Sequence, residues 1–180
     1  MRGPWRASPG GRLPVLIRLS MSHTPVEVTV RPARPEDLPS VLKAVGRLGD
    51  FGPPSWRTAA ELVEGEARAV RRFFSAPPAG AVMLVAEGVD GEPLGFVYLE
   101  RTSDYFTEEA HGHVSIIAVA AHAEGRGVAG ALMKAAETWA REAGFGRLTL
   151  TVFEGNHHAR AVYERVGYRT ETLRYVKLLR

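Results

Sequence analysis

The sequence contains no cysteine. That excludes a disulfide framework, a thiol nucleophile and cysteine-ligated zinc, and it suits a reducing compartment. It contains no Gly-Lys pair, so a Walker-type phosphate loop is excluded. No stretch approaches the ~20 apolar residues of a membrane-spanning helix. The longest apolar run near the start, Val15-Leu16-Ile17, has three residues. Residues 1–20 contain no acid, only the arginines Arg2, Arg6, Arg12 and Arg18. The other 160 residues hold 19 basic and 20 acidic side chains, so the formal charge of +3 belongs to the first twenty. The near-neutral body shows no basic stripe, and no nucleic-acid or membrane partner is expected. The runs Arg68–Arg72 and Arg165–Arg174 read as solvated faces.

What is present describes an ordinary globular chain. Its 180 residues are 45% hydrophobic and 24% charged, enough for one domain burying roughly 70% of its unfolded surface. Residues 1–21 carry Gly3, Pro4, Pro9, Gly10, Gly11 and Pro14 and read as an irregular extension. Arginines without acids also fit a transit peptide, while Met21 fits a later start. The domain is expected over 22–180.

Periodicity then gives the elements. Val26–Arg31 alternates as a strand. Pro35-Glu36-Asp37 opens a helix whose apolar face is Leu38, Val41, Leu42 and Val45, with the acids near the positive helix end. A second helix is expected from Thr58 to Phe74, with Leu62, Ala69, Val70 and Phe73 inward. Ala81–Glu87 and Leu94–Arg101 form a hairpin about Asp90-Gly91. Ser103–Gly112 reads as a polar loop and His113–Val119 as a central strand. A helix over Ala129–Ala143, a strand over Leu148–Phe153, a short helix over Ala159–Val166 and one or two strands over Tyr168–Leu179 follow. The pattern predicts an α/β (mixed α+β) single domain, its central sheet mixed, mostly antiparallel and flanked by helices.

The segment from Val119 to Gly130 carries the most chemistry. A strand ends, a loop crosses, and a helix begins among Gly125, Gly127 and Gly130. A helix start presents free N–H groups, and glycines admit a ligand close to the backbone, which suits a pyrophosphate. A tight strand–helix loop with no ligand is the alternative. The spacing Gly125-x-Gly127-x-x-Gly130, with Glu154 downstream, also matches a dinucleotide fingerprint. Five residues separate these glycines from the strand, a hairpin precedes them, and only about 50 residues follow, so a nicotinamide or flavin oxidoreductase fits poorly.

Residues 113–168 resemble the GNAT superfamily of acetyl-coenzyme A-dependent N-acetyltransferases. The family hallmark is an apolar-x-Val strand end followed by Gln/Arg-x-x-Gly-x-Gly/Ala. Here Ile117-Ala118-Val119 ends the strand, and Glu124-Gly125-Arg126-Gly127-Val128-Ala129 opens the helix. The later hallmark appears as Asn156-His-His-Ala159-Arg-Ala-Val162-Tyr163-Glu-Arg-Val-Gly167-Tyr168. The front-half element order extends the resemblance to residues 26–180. Two positions depart from the pattern: Glu124 replaces Gln or Arg, and Val162 replaces Phe.

The resemblance implies direct acyl transfer from acetyl-CoA to a primary amine, with no metal. It implies cofactor contacts from Ile117, Ala118, Val119, Glu124, Gly125, Arg126, Gly127, Val128, Ala129, Gly130, Asn156 and Tyr163. It places an oxyanion-facing N–H near Val119 and makes Tyr163 the acid for the leaving thiolate; a core tyrosine is the alternative. Asn156 can bond the pantetheine arm or cap its own helix. The base is expected in order of preference at His113, Glu100 or His111, His111 and His113 sharing one strand face. Two histidines with Glu109 are also a conceivable, incomplete metal set. Trp56, Phe73, Phe74, Tyr105 and Phe106 are candidates for an apolar acceptor pocket. The acceptor is a small-molecule or peptide amine, a homodimer is possible, and the setting cytoplasmic. The alternative of another class is a non-catalytic module of the same fold that senses acyl-CoA.

Overall fold

A computed structural model describes residues 27–179 of the protein. The expected extension over 1–21, and Val26 of the first predicted strand, lie outside the described residues. Five strands form one sheet in the order β1 (Thr29–Pro32), β2 (Val82–Glu87), β3 (Pro93–Ser103), β4 (Ala110–Val119), β5 (Leu148–Leu150). The first three pairings are antiparallel, and β4–β5 is parallel. Helices α1 (Leu38–Val45) and α2 (Ala59–Ser75) cover one face, and α3 (Val128–Glu142) covers the other.

The strand period of two builds both cores. On one face Met83, Val85, Phe96, Tyr98, Ile116 and Ala118 meet Val41, Val45 and Val70. On the other Leu94, Val97, Leu99 and Val114 meet Val128, Leu132, Met133 and Ala136. Helix α2 starts where a capping box fixes it: the Glu61 N–H donates to Thr58 Oγ1 at 3.1 Å, and the Thr58 N–H donates to Glu61 Oε2 at 2.7 Å.

Several boundaries differ from expectation. The predicted first helix opens with a 3₁₀ turn, Pro35–Asp37. Asp37 there serves an ion pair instead of the helix dipole. Its carboxylate is buried and takes both Arg31 Nη1 (2.7 Å) and Nη2 (2.9 Å), with the Arg34 N–H at 2.6 Å. Arg31 also binds Glu87 through Nε, which ties β1, the turn and β2 together. The polar loop shrinks, because β3 runs on to Ser103 and β4 begins at Ala110. Strand β5 stops at Leu150, not Phe153. Phe153 stacks on Phe51 (centroids 5.2 Å apart), so the chain leaves β4 to follow the front loop. The last expected strands are not formed over 168–179. Residues 169–179 are all exposed, so their strand-forming side chains have no face to bury. Helix α4 (His157–Arg165) starts earlier than expected, at the Asn156 cap.

Burial works to raise the Asp37 pKa, but the Arg31 hydrogen bonds and charge outweigh it and hold the carboxyl below 3.8. A depressed carboxyl stabilises the fold above its unfolded pKa, and that contribution is lost as pH falls through the folded value. Asp37→Asn should cost about 2–3 kcal/mol, because Arg31 loses its bidentate partner but keeps Glu87. Urea unfolding at neutral pH checks this, and the gap from the wild type should narrow below pH 3.8.

Candidate active site

The site begins with a split in the sheet. Strand β5 pairs with β4 only through Gly112, His113 and Val114. Residues 115–119 of β4 continue without it. The Ala120 N–H donates to Leu94 O at 2.8 Å, and the register sets Gly95 opposite Val119 and Val97 opposite Ile117. In an antiparallel ladder bonding alternates residue by residue. Ala118 therefore bonds toward β3, while Ile117 and Val119 aim N–H and C=O into the split. That is an open strand edge for an extended ligand.

Gly95 lets the two strands close up at this point. A Cβ there would lie 2.7 Å from Ala118 O and 3.1 Å from Val119 Cα. The β4 edge then leads through a 3₁₀ turn, Ala121–Ala123, into the glycine loop. Gly127 is the α3 N-cap at φ +83°, a conformation that L side chains resist. Among the described residues no side chain caps this helix, so its first-turn N–H groups face outward as an anion site would need. Val128 itself is buried in the core, and Gly125, Gly127, Ala129 and Gly130 lie at or near the surface. The Arg126 guanidinium turns back toward His122 O at 3.4 Å. Glu124 pairs with Arg47 Nη1 at 2.8 Å.

Below the split, polar groups line up across β3, β4 and β5. A β-bulge leaves Ser115 unpaired between Val114 and Ile116. Its hydroxyl donates to Glu100 Oε2, and the Tyr98 hydroxyl donates to Glu100 Oε1 at 2.9 Å. Burial, then the hydrogen bond to Glu100, raises the Tyr98 pKa, so Tyr98 remains a donor. Opposite Glu100 lies His113, whose Nδ1 is 2.8 Å from Thr149 Oγ1. Thr149 Oγ1 also lies 3.4 Å from Gly112 O. A threonine hydroxyl has one proton. Given to Gly112, it leaves Thr149 to accept from Nδ1–H, and Nε2 keeps its lone pair. Burial, then neighbouring His111, pushes the His113 pKa below 6.5, with Glu100 opposing. His111 is buried with its Nδ1 unpartnered among the described residues.

Tyr163 lies on α4, half-buried against the α3-side core, and burial raises its pKa, which keeps it protonated. Asn156 caps α4, accepting from the Ala159 N–H at 3.1 Å. The predicted cofactor residues of β4 and the loop are thus continuous, and His113 and Glu100 face each other. The sequence reading missed Tyr98, Ser115, Thr149 and Arg47. A polar residue breaking the β4 apolar run was the only signal, and it applied to Ser115 alone. The five aromatics proposed for an apolar pocket do not gather. Phe73 and Phe74 pack into the core, Trp56 is exposed, and Tyr105 meets Phe106 edge to face while itself lining a cavity beside His113. This cavity of about 300 Å³ has a lining that includes Asp104, Tyr105, Thr149, Thr151, Glu171 and Thr172. Among the described residues no three His, Asp or Glu side chains gather to hold a metal ion. No described helix is long and apolar enough to cross a membrane.

A mixed sheet split between parallel strands, with a glycine-rich helix start at the split, defines the acetyltransferase class of fold. The model of the acetyltransferase (GNAT) family matches residues 52–168, and the chain belongs to that family. It is 32% identical over 147 residues to a mycothiol acetyltransferase of Rhodococcus jostii (strain RHA1), covering 80% of this chain and 46% of the relative. It is 28% identical over 145 residues to the N-acetyltransferase YhfO of Bacillus subtilis (strain 168), covering 81% and 92%. The chain therefore spans about half of the first relative and nearly all of the second. A Pyrococcus furiosus protein described as an acetyl transferase superposes with a TM-score of 0.70 at 25% identity, over 85% of this chain and 100% of that one. A GCN5-related N-acetyltransferase from Ralstonia eutropha JMP134 shares the fold, at a TM-score of 0.66 and 19% identity over 84% and 98%.

The His113 ring should titrate below 6.5, which NMR of the ring protons reads directly. A depressed histidine contributes stability above its unfolded pKa and loses it as pH falls through the folded one. His113→Gln should remove that part of the acid sensitivity, read as the change in unfolding free energy between pH 7 and pH 5.

Proposed function

We propose that this protein transfers an acetyl group from acetyl-CoA directly to a primary amine, within a domain spanning residues 22–180. The observation that carries the reading is the open Ile117–Val119 edge running straight into the uncapped, glycine-lined start of α3. An extended amide-bearing chain can pair with the first while a pyrophosphate meets the second, so the residues present fit the group. Ala118 holds the edge in place from the β3 side, and Gly125, Arg126, Gly127, Val128, Ala129 and Gly130 form the cradle. Acetyl-CoA, when bound, supplies an acyl thioester.

The chain's own groups handle protons and position. The Val119 N–H is the donor for developing negative charge on the thioester oxygen. Glu100, fixed by Tyr98 and Ser115, attracts the acceptor ammonium, and His113 Nε2 takes its proton. A neutral histidine at pH 7 suits that task. Tyr163, protonated at neutral pH, returns a proton to the leaving sulfur. Asn156 fixes the α4 start that carries Tyr163, and its remaining amide reaches toward the pantetheine arm. The hydroxyls and the two carboxylates, Asp104 and Glu171, of the cavity beside His113 support a hydrophilic amine, on a small molecule or a peptide N-terminus. The cysteine-free composition supports a cytoplasmic setting.

Isothermal titration with acetyl-CoA, with NAD as control, tests the reading. Acetyl-CoA should bind and NAD should not. Gly127→Asp should abolish binding, because it strains φ +83° and puts a carboxylate in the cradle. Tyr163→Phe and His113→Gln should bind normally and, with an amine panel, lose roughly 10²–10⁴-fold in turnover. Binding without turnover by the wild type on any amine would instead mark an acyl-CoA sensor. Because His113 acts unprotonated, kcat/KM should fall about tenfold per pH unit below its pKa.

A further inference from the structure

We propose that Arg47 is a phosphate ligand of the cofactor groove, held in readiness by Glu124. The inference rests on the reading that acetyl-CoA lies along the β4 edge. Glu124 is the family departure in the glycine loop, a carboxylate immediately ahead of the cradle that takes a pyrophosphate. Left alone it would repel that ligand. It is not left alone. The structure brings in Arg47 from the 3₁₀ turn Gly46–Gly49 that follows α1, far away in sequence.

The guanidinium spans the entrance to the groove. Nη1 lies 2.8 Å from Glu124 Oε1 and donates to Val119 O at 3.3 Å, while Nε lies 3.3 Å from Asp50 Oδ2. It therefore touches both the last carbonyl of the open edge and the first residue of the loop. Hydrogen bonding to Glu124 raises its already high pKa, so it is a fixed cation. Arg126, the cation within the loop itself, is turned back onto His122 O. The front loop is also seated on the far side of the split, through the Phe51–Phe153 stack, which limits the ways Arg47 can move.

A planar guanidinium presents several N–H groups in a fork and can hold a carboxylate on one edge and a phosphate oxygen on another. A pyrophosphate carries more charge than the exposed Glu124 carboxylate and competes well for it. Arg47 thus offsets the charge that Glu124 brings, and the N–H groups that Glu124 and Asp50 leave free can donate to a phosphate oxygen. Its bond to Val119 O is the contact that must yield when a ligand pairs with the edge.

Titrations with acetyl-CoA and with acetyl-pantetheine, which lacks every phosphate, separate these roles. Arg47→Ala should weaken acetyl-CoA about tenfold and leave acetyl-pantetheine within twofold. Arg47→Lys should retain part of the affinity, and the loss in Arg47→Ala should shrink in high salt. Glu124→Gln should tighten acetyl-CoA, but the Arg47→Ala/Glu124→Gln double variant should stay clearly weaker than Glu124→Gln alone, because the phosphate still lacks its ligand; full recovery in the double variant reduces Arg47 to neutralising Glu124 and overturns the proposal. Unchanged acetyl-CoA affinity in Arg47→Ala overturns the proposal. So does a parallel loss for acetyl-pantetheine, which marks a structural role, or a parallel gain, which marks a latch over the edge. A wild type that binds no acetyl-CoA overturns the groove reading as well, and is distinct from these.

Discussion

Strand β4 continues for residues 115–119 beyond its last pairing with β5, and the site depends on that mismatch. A strand edge inside a sheet normally has a neighbour, and an exposed one invites pairing. Here the edge is internal, short and bounded. The β3 side is satisfied, the α3 start closes one end, and the bulge at Ser115 closes the other. What remains is the row of Ile117 and Val119 backbone groups facing the split, where Val119 O meets the Arg47 guanidinium, with the length of a small extended ligand. The glycine loop matters because it begins where that row ends.

The front half of the chain keeps the split from collapsing. Arg31, Asp37 and Glu87 lock β1 and the first turn to β2, which fixes where α1 starts. Helix α1 then delivers Arg47 to β4, and the loop after it delivers Phe51 to the chain beyond β5. Both banks of the split are held by one loop. Without the Phe51–Phe153 stack, the strand-forming residues Thr151, Val152 and Phe153 could extend the ladder and cover the edge. An aromatic pair of this kind is worth roughly 1 kcal/mol beyond its burial, about as much as one ladder bond.

How much was legible follows from the range of each interaction. The glycine loop is a local object. Positive-φ glycines and a helix start occupy adjacent positions, so it could be read directly. The same holds for Thr58 with Glu61 and for Asn156 at its helix cap, each a contact over three residues. His113 and Glu100 could be placed on neighbouring strands, but their pairing depends on the bulge at Ser115, which local pattern does not announce. The end of β5 was not legible either, because a strand stops where its partner leaves, and Phe51 decided that from a hundred residues away. Arg47 was equally silent: nothing near it in sequence marks a partner at Val119. The segment after Tyr168 failed for the opposite reason. Its residues have the right propensity, but propensity without a face to bury does not make a strand.

The polar row below the split sets stability against chemistry. Burying two histidines on one strand face, with the His111 Nδ1 unpartnered, is costly in a protein interior. A pair of threonines or leucines would pack there with less strain on the hydrogen-bond balance. The same burial is what lowers the His113 pKa, and the like-charged neighbour helps it. Glu100 pulls the other way, yet its two hydroxyl donors spread its negative charge and leave it less able to recharge the ring. Tyr98 and Ser115 thus act on His113 through Glu100, although neither is bonded to it. His113 sits in a row of polar groups that crosses three strands, and the burial that costs stability there is also what lowers its pKa.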